Sequence, residues 1–112
     1  MVGVFTVALG STAQAECSFP KAPDAIPDGK SASEQEMIAA MAAFKQYNTD
    51  VDAYVACLDT ETADKVKEAS GAGAIMQIKS MQSKKKTSAT DERQAKVNTF
   101  NEQVRTFKAR KS

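Results

Sequence analysis

The chain has 112 residues, 42% hydrophobic and 26% charged, with 15 basic and 14 acidic side chains for a net charge of +1. That length allows one domain at most, with a core that is marginal unless something staples it. It contains no histidine and no tryptophan, which excludes ordinary zinc sites, histidine acid/base chemistry and a Ser-His-Asp arrangement.

Val2 to Leu9 is a short apolar run, followed by Gly10, Ser11, Thr12 and the small-residue signature Ala13-Gln14-Ala15. The pattern reads as an export signal over residues 1–15, cut after Ala15, and the run is too short to span a bilayer as a retained helix. No Lys or Arg precedes it. That leaves a start codon further upstream or a weak signal. The first is favoured, because the rest of the chain suits an oxidising compartment.

Two cysteines follow, Cys17 and Cys57. Lipid attachment at Cys17 wants an aliphatic residue three positions before it and a small one directly before it, whereas Gln14 and Glu16 stand there. In an exported chain a single disulfide is the expected alternative to two free thiols. Closing a loop of about 40 residues is worth roughly 4 kcal/mol on the chain-entropy account.

Between Cys17 and Lys30, Pro20, Pro23 and Pro27 precede Asp28-Gly29. Such spacing forbids a regular helix and favours an extended arm. A helix from Ser33 to Cys57 rises about 36 Å, and the arm reaches about 43 Å at most. A Cys17–Cys57 bond therefore makes the arm run back along nearly the whole helix. Phe19 and Ile26 are its expected anchors, and Ala39, Ala42, Ala43, Ala53 and Ala56 are small enough to let it approach. A structural strap is favoured over a Pro-rich ligand for an aromatic groove.

From Ser33 to Leu58 the spacing predicts one amphipathic helix. Met37, Ala40, Phe44, Tyr47, Val51, Tyr54 and Leu58 fill one heptad seam, Met41 and Val55 widen it, and Glu34, Glu36, Lys45, Asp50 and Asp52 face water. Ser33 with Glu36 has the spacing of a capping box, as does Ser31 with Glu34, and the cap is placed at Ser33. Asn48 beside the seam reads either as a register-setting polar contact or, preferably, as a solvated edge residue.

Nothing breaks the chain from Asp59 to Asp64, so helicity continues towards Ser70 or pauses near Asp59; Gly71-Ala72-Gly73 then allows a reversal. A phosphate cradle is not expected there, since no Lys-Ser or Lys-Thr follows and no strand precedes. Ala74, Ile78 and Met81 lie on one helical face, and Val97, Phe100, Val104 and Phe107 form a second run. The stretch Gln82 to Lys96 between them lacks large apolar residues, and is either a loop or an exposed part of one long helix.

Glu16 to Asp64 carries three basic and ten acidic residues, and Lys65 to Ser112 carries twelve basic and four acidic. Two such halves attract when folded antiparallel. Lys84, Lys85 and Lys86, with Arg93 and Lys96, form a candidate anion-binding patch for nucleic acid, lipopolysaccharide or anionic lipid. Internal pairing and solvation are the favoured reading, and the lack of nearby aromatic residues argues against nucleic acid. Met37 with Met41, and Met76 with Met81, are soft copper ligands in principle and core filler by preference. Asp50 with Asp52 and Asp91 with Glu92 lack calcium-loop spacing, and the cysteines are not a Cys-x-x-Cys pair. No metal, cofactor or catalytic residue is expected.

The segments Cys17-Ser18-Phe19-Pro20, Ile26-Pro27-Asp28-Gly29, Glu36-Met37-Ile38 and Tyr54-Val55-Ala56-Cys57-Leu58 together resemble an uncharacterised group of small exported Gram-negative bacterial proteins. Phe100-Asn101-Glu102-Gln103-Val104-Arg105 is similar to the closing helix of the same group. The resemblance implies an exported helical protein with these two cysteines paired and helix around Thr90-Asp91-Glu92, and it implies no activity.

The expected fold is all-α: a coiled-coil-like antiparallel helical hairpin with a Pro-rich arm strapped to the first helix. Residues 16–112 form one domain, with the arm at 16–32 and helical regions at 33–70 and 74–110. A three-helix bundle broken near Thr60 and Ser88 is the alternative. The expected function is a non-enzymatic periplasmic interaction or envelope-associated protein, self-associating or bound to another protein, with no transmembrane segment in the mature chain. The alternative is a carrier whose pocket for a small apolar ligand is built from Phe44, Tyr47, Tyr54, Phe100 and Phe107.

Overall fold

The computed structural model describes residues 17–111, and the proposed signal, with Ala13 and Ala15, lies outside them. Two helices account for most of the described chain: α1, Glu34–Glu68, and α2, Ala72–Lys111. They form an antiparallel hairpin with no strand among the described residues.

The helix α1 starts where its capping chemistry dictates. The Ser33 hydroxyl accepts from the Glu36 amide at 3.1 Å, and the Ser33 amide donates to the Glu36 carboxylate at 2.7 Å, so two amides at the helix start find partners. It continues through Asp59 without a break, and Thr62 sits within it by donating to the Leu58 carbonyl at 2.7 Å. At its end the Ala69 amide donates to the Val66 carbonyl, and Gly71 reverses the chain with φ of 89°. A Cβ at Gly71 would touch nothing. The backbone conformation, not crowding, is what favours glycine there.

The seven-residue seam of α1 is buried along its length, with only Ala40 half-buried. On α2 the stretch Gln82 to Lys96 is helix, not loop, so the hairpin holds and the three-helix alternative does not. Gln82 and Ala89 are buried there although neither is a large apolar side chain, and Phe100 and Phe107 close the core at the other end. Met76 and Met81 are exposed at 71% and 61%, so Met81, although three residues from Ile78, is not buried beside it. The seam turns instead through Ile75, Ile78 and Gln82, of which the isoleucines are half-buried.

Register follows from polar pairs across the hairpin. Glu34 pairs with Lys111, Asp52 with Arg93 and Asp59 with Lys86, and the buried Gln82 amide donates to Glu61 at 2.8 Å. The acidic and basic halves therefore do face one another.

The arm departs from expectation in its path. It is bonded to α1 through Cys17–Cys57, with the two Cα atoms 5.8 Å apart, and Phe19 meets Tyr54 edge-on at 5.3 Å. It then crosses to α2 and runs parallel to it, past Glu92, Lys96, Thr99 and Gln103 to Arg110. The Gly29 amide donates to Gln103 Oε1 at 2.7 Å, while Arg110 donates to the Gly29 and Ala32 carbonyls at 3.0 and 2.7 Å. Alanines offer no such partners to a backbone. Ala39, Ala42, Ala43, Ala53 and Ala56 accordingly stay exposed.

Candidate functional site

Among the described residues the arm covers one side of the two-helix layer and leaves the other bare. Around α2, Thr99, Gln103 and Thr106 lie on the arm side of the Phe100 seam, while Val97, Val104 and Lys108 fall on the opposite side. Around α1, Asp50, Ala53 and Cys57 border the arm. Ile38 and Met41 face the other way.

At the end of the hairpin where α1 begins and α2 finishes, this bare side holds an apolar cleft of about 160 Å³. Its walls are Met37, Ile38, Met41, Val104 and Phe107, with Glu34 on the α1 rim and Lys108 on the α2 rim. Ile38 is 60% exposed and Met41 47%. They lie outside the heptad seam, so helix pairing does not cover them, and among the described residues no segment of the arm lines the cleft beside them. The heptad pattern gives Ile38 no place. The available signal is its spacing of three from Met41, which puts both on one flank of α1.

The other candidate residues are dispersed. Lys84 and Lys85 are exposed, whereas Lys86 turns to Asp59. Arg93 turns to Asp52 at 2.7 Å and to the Asn48 carbonyl at 3.5 Å, and Lys96 borders the arm beside Glu92. The five cations thus do not make one patch. Asn48 is a half-buried contact point through its backbone, and its expected role as a solvated edge residue holds only in part.

The proposed aromatic pocket is filled by its own rings. Phe44 stacks on Phe100 at 4.6 Å and meets Tyr47 edge-on at 6.1 Å, while Phe107 lies under the Arg110 and Lys111 cations. Met37 is buried and Met41 exposed, so that pair does not act as common core filler. Among the described residues no three His, Cys, Asp or Glu side chains converge as a metal site.

Burial pushes the Tyr47 phenol above its ordinary value of 10.0; Glu92 adds to this and Arg93 opposes it. Burial, with Glu61, raises Tyr54 likewise. A phenol with a raised folded-state value stabilises the fold below the unfolded value, and that contribution fades as pH climbs through the folded one. Alkaline titration followed by circular dichroism should therefore show stability holding to about pH 10 and falling above it.

No known protein family, curated protein or solved structure matches the chain.

Proposed function

We propose that this is an exported, non-enzymatic interaction protein of the Gram-negative envelope, working in the periplasm by presenting a rigid helical face to a partner. The observation that carries the reading is the exposed Ile38 and Met41 beside half-buried Val104, on the side of the hairpin that the arm leaves bare. Apolar side chains grouped on one face mark association surfaces more often than isolated ones do. The Cys17–Cys57 bond supports residence in an oxidising compartment, as do the apolar run and Ala13-Gln14-Ala15 before it. No helix among the described residues is long and apolar enough to cross a membrane.

The disulfide and the arm fit this reading because they stiffen the layer behind the bare face. A preorganised face loses less conformational freedom when it binds. The test is native mass spectrometry of the protein recovered from periplasm, before and after reduction. A complex or an assembly supports the proposal. A stable monomer without exposed apolar surface sinks it, and a co-purifying lipid would favour a carrier.

A further inference from the structure

The two helices that form the bare face differ in charge. Helix α1 carries eight acidic and three basic side chains, and α2 ten basic and three acidic. At the apolar cleft this difference is carried by Glu34 on the α1 rim, which also pairs with Lys111, and Lys108 on the α2 rim.

Such a surface is complementary to itself, but only in one orientation. Two copies laid face to face are related by a two-fold axis lying in the plane between them. If that axis runs across the helices, α1 faces the other α1 and acid meets acid. If it runs along the helices, α1 of each copy lies on α2 of the other, so acid meets base. The second arrangement also keeps the two exposed apolar ends together. In it Ile38 and Met41 of one copy oppose Val104 of the other, and Glu34 opposes Lys108.

We propose that the partner on the bare face is a second copy of this chain, docked with the two-fold axis parallel to the helices to make a four-helix bundle. The inference rests on the interaction reading above and specifies its partner. It follows the rule for isologous interfaces, in which the same patch serves both copies and each contact occurs twice. Charge sets the orientation, and the apolar strip supplies the buried centre. The arms end up on the two outer sides of the bundle, clear of the interface.

Sedimentation equilibrium of the disulfide-bonded protein from about 1 to 100 µM tests the proposal. The expected result is a dimer at twice the chain mass. Met41→Lys is expected to weaken it about a hundredfold, because the apolar centre is struck twice. Ile38→Lys gives a second, independent reading should Met41→Lys fail to fold.

Glu34→Lys and Lys108→Glu are each expected to weaken the dimer about tenfold, because each sets like charges opposite one another at both contacts. Mixing the two variants is expected to restore a mixed dimer in native mass spectrometry. At one contact the introduced lysine then meets the introduced glutamate, and at the other the unaltered Lys108 meets the unaltered Glu34. Only pairing between copies produces that rescue.

A monomer throughout the range, a dimer indifferent to Met41→Lys, or no rescue on mixing overturns the proposal. A monomer that binds an apolar dye through Met41 overturns self-docking alone and leaves the interaction reading standing. A monomer that binds no dye overturns both. A monomer that sediments with phosphatidylglycerol vesicles overturns self-docking in favour of a lipid surface.

Discussion

The two halves of α2 hold the same partner helix by different chemistry. From Val97 to Lys111, Phe100 and Phe107 are buried, with Val97 and Val104 half-buried beside them, and the helix packs on Met37, Phe44 and the arm. From Ala72 to Lys96 only Gln82 and Ala89 are buried on α2. The apolar side of the contact comes from Val51, Tyr54 and Leu58 of α1, which share a buried cluster with Ala89, and polar pairs with Glu61, Asp59 and Asp52 flank it. Buried apolar area stabilises whichever register brings it together. Polar pairs cost more to misplace than they contribute when made. The large rings of α2 thus lie in one half and most of its polar pairs with α1 in the other, so α2 contributes most of its own apolar burial through the first and most of the register through the second.

The largest effect should come from the aromatic half. Phe100→Ala removes the ring stacked on Phe44 and should cost about 3 to 5 kcal/mol in urea unfolding. A cost below about 1 kcal/mol would mean that the site collapses freely and that stability lies elsewhere.

Replacing both Cys17 and Cys57 by serine should come close behind, at about 4 kcal/mol, through the freedom returned to the unfolded chain. The loss should also be local. Residues near Cys17 are tied to α1, whereas Gly29 and Ala32 are held separately by Gln103 and Arg110. Hydrogen exchange should therefore quicken at residues 18–22 and stay slow at the Gly29 amide, and uniform quickening would show that the arm has a single point of attachment.

Gly29→Ala tests that second attachment. An added Cβ would lie 2.2 Å from the Gln103 carbonyl oxygen and 2.9 Å from the Phe107 nitrogen, both in the backbone of α2. Neither atom can swing aside, so the arm must lift, at about 2 kcal/mol. Unfolding midpoints of the variant and parent read this directly, and an unchanged midpoint would mean that the contact contributes nothing.

How much of this was legible follows the same division. The α1 seam, its cap and the reversal at Gly71 were readable because apolar periodicity, a Ser-x-x-Glu spacing and glycine each carry a local signal. The polar half of α2 was ambiguous because Gln82, Lys86 and Arg93 occupy core-facing positions only by virtue of partners on α1. The burial of Gln82 and the partial burial of Lys86 and Arg93 are tertiary properties with no apolar signature. The arm's anchors at Phe19 and Ile26 were visible, but its crossing to α2 depends on Gln103 and Arg110, which look like surface residues in sequence. The bare face was the least legible. Ile38 stands out only once the arm's side of the hairpin is known.

The smallest effect belongs to the polar half and puts the comparison at greatest risk. Asp52 is 73% exposed and Arg93 28%, so water and salt screen their bond. A double-mutant cycle with Asp52→Asn and Arg93→Gln isolates the pair from the packing of the arginine stem and its contact with Asn48. The coupling should be about 0.5 kcal/mol at low salt and near zero in about 1 M NaCl, where screening acts within about 3 Å. Polar pairs that choose a register need only be worse in every other alignment, so a weak coupling is compatible with a strict one. A coupling above about 1.5 kcal/mol that survived salt would exceed what an exposed pair supplies. The polar half would then hold the hairpin closed in its own right, and the division between energy and register would fail.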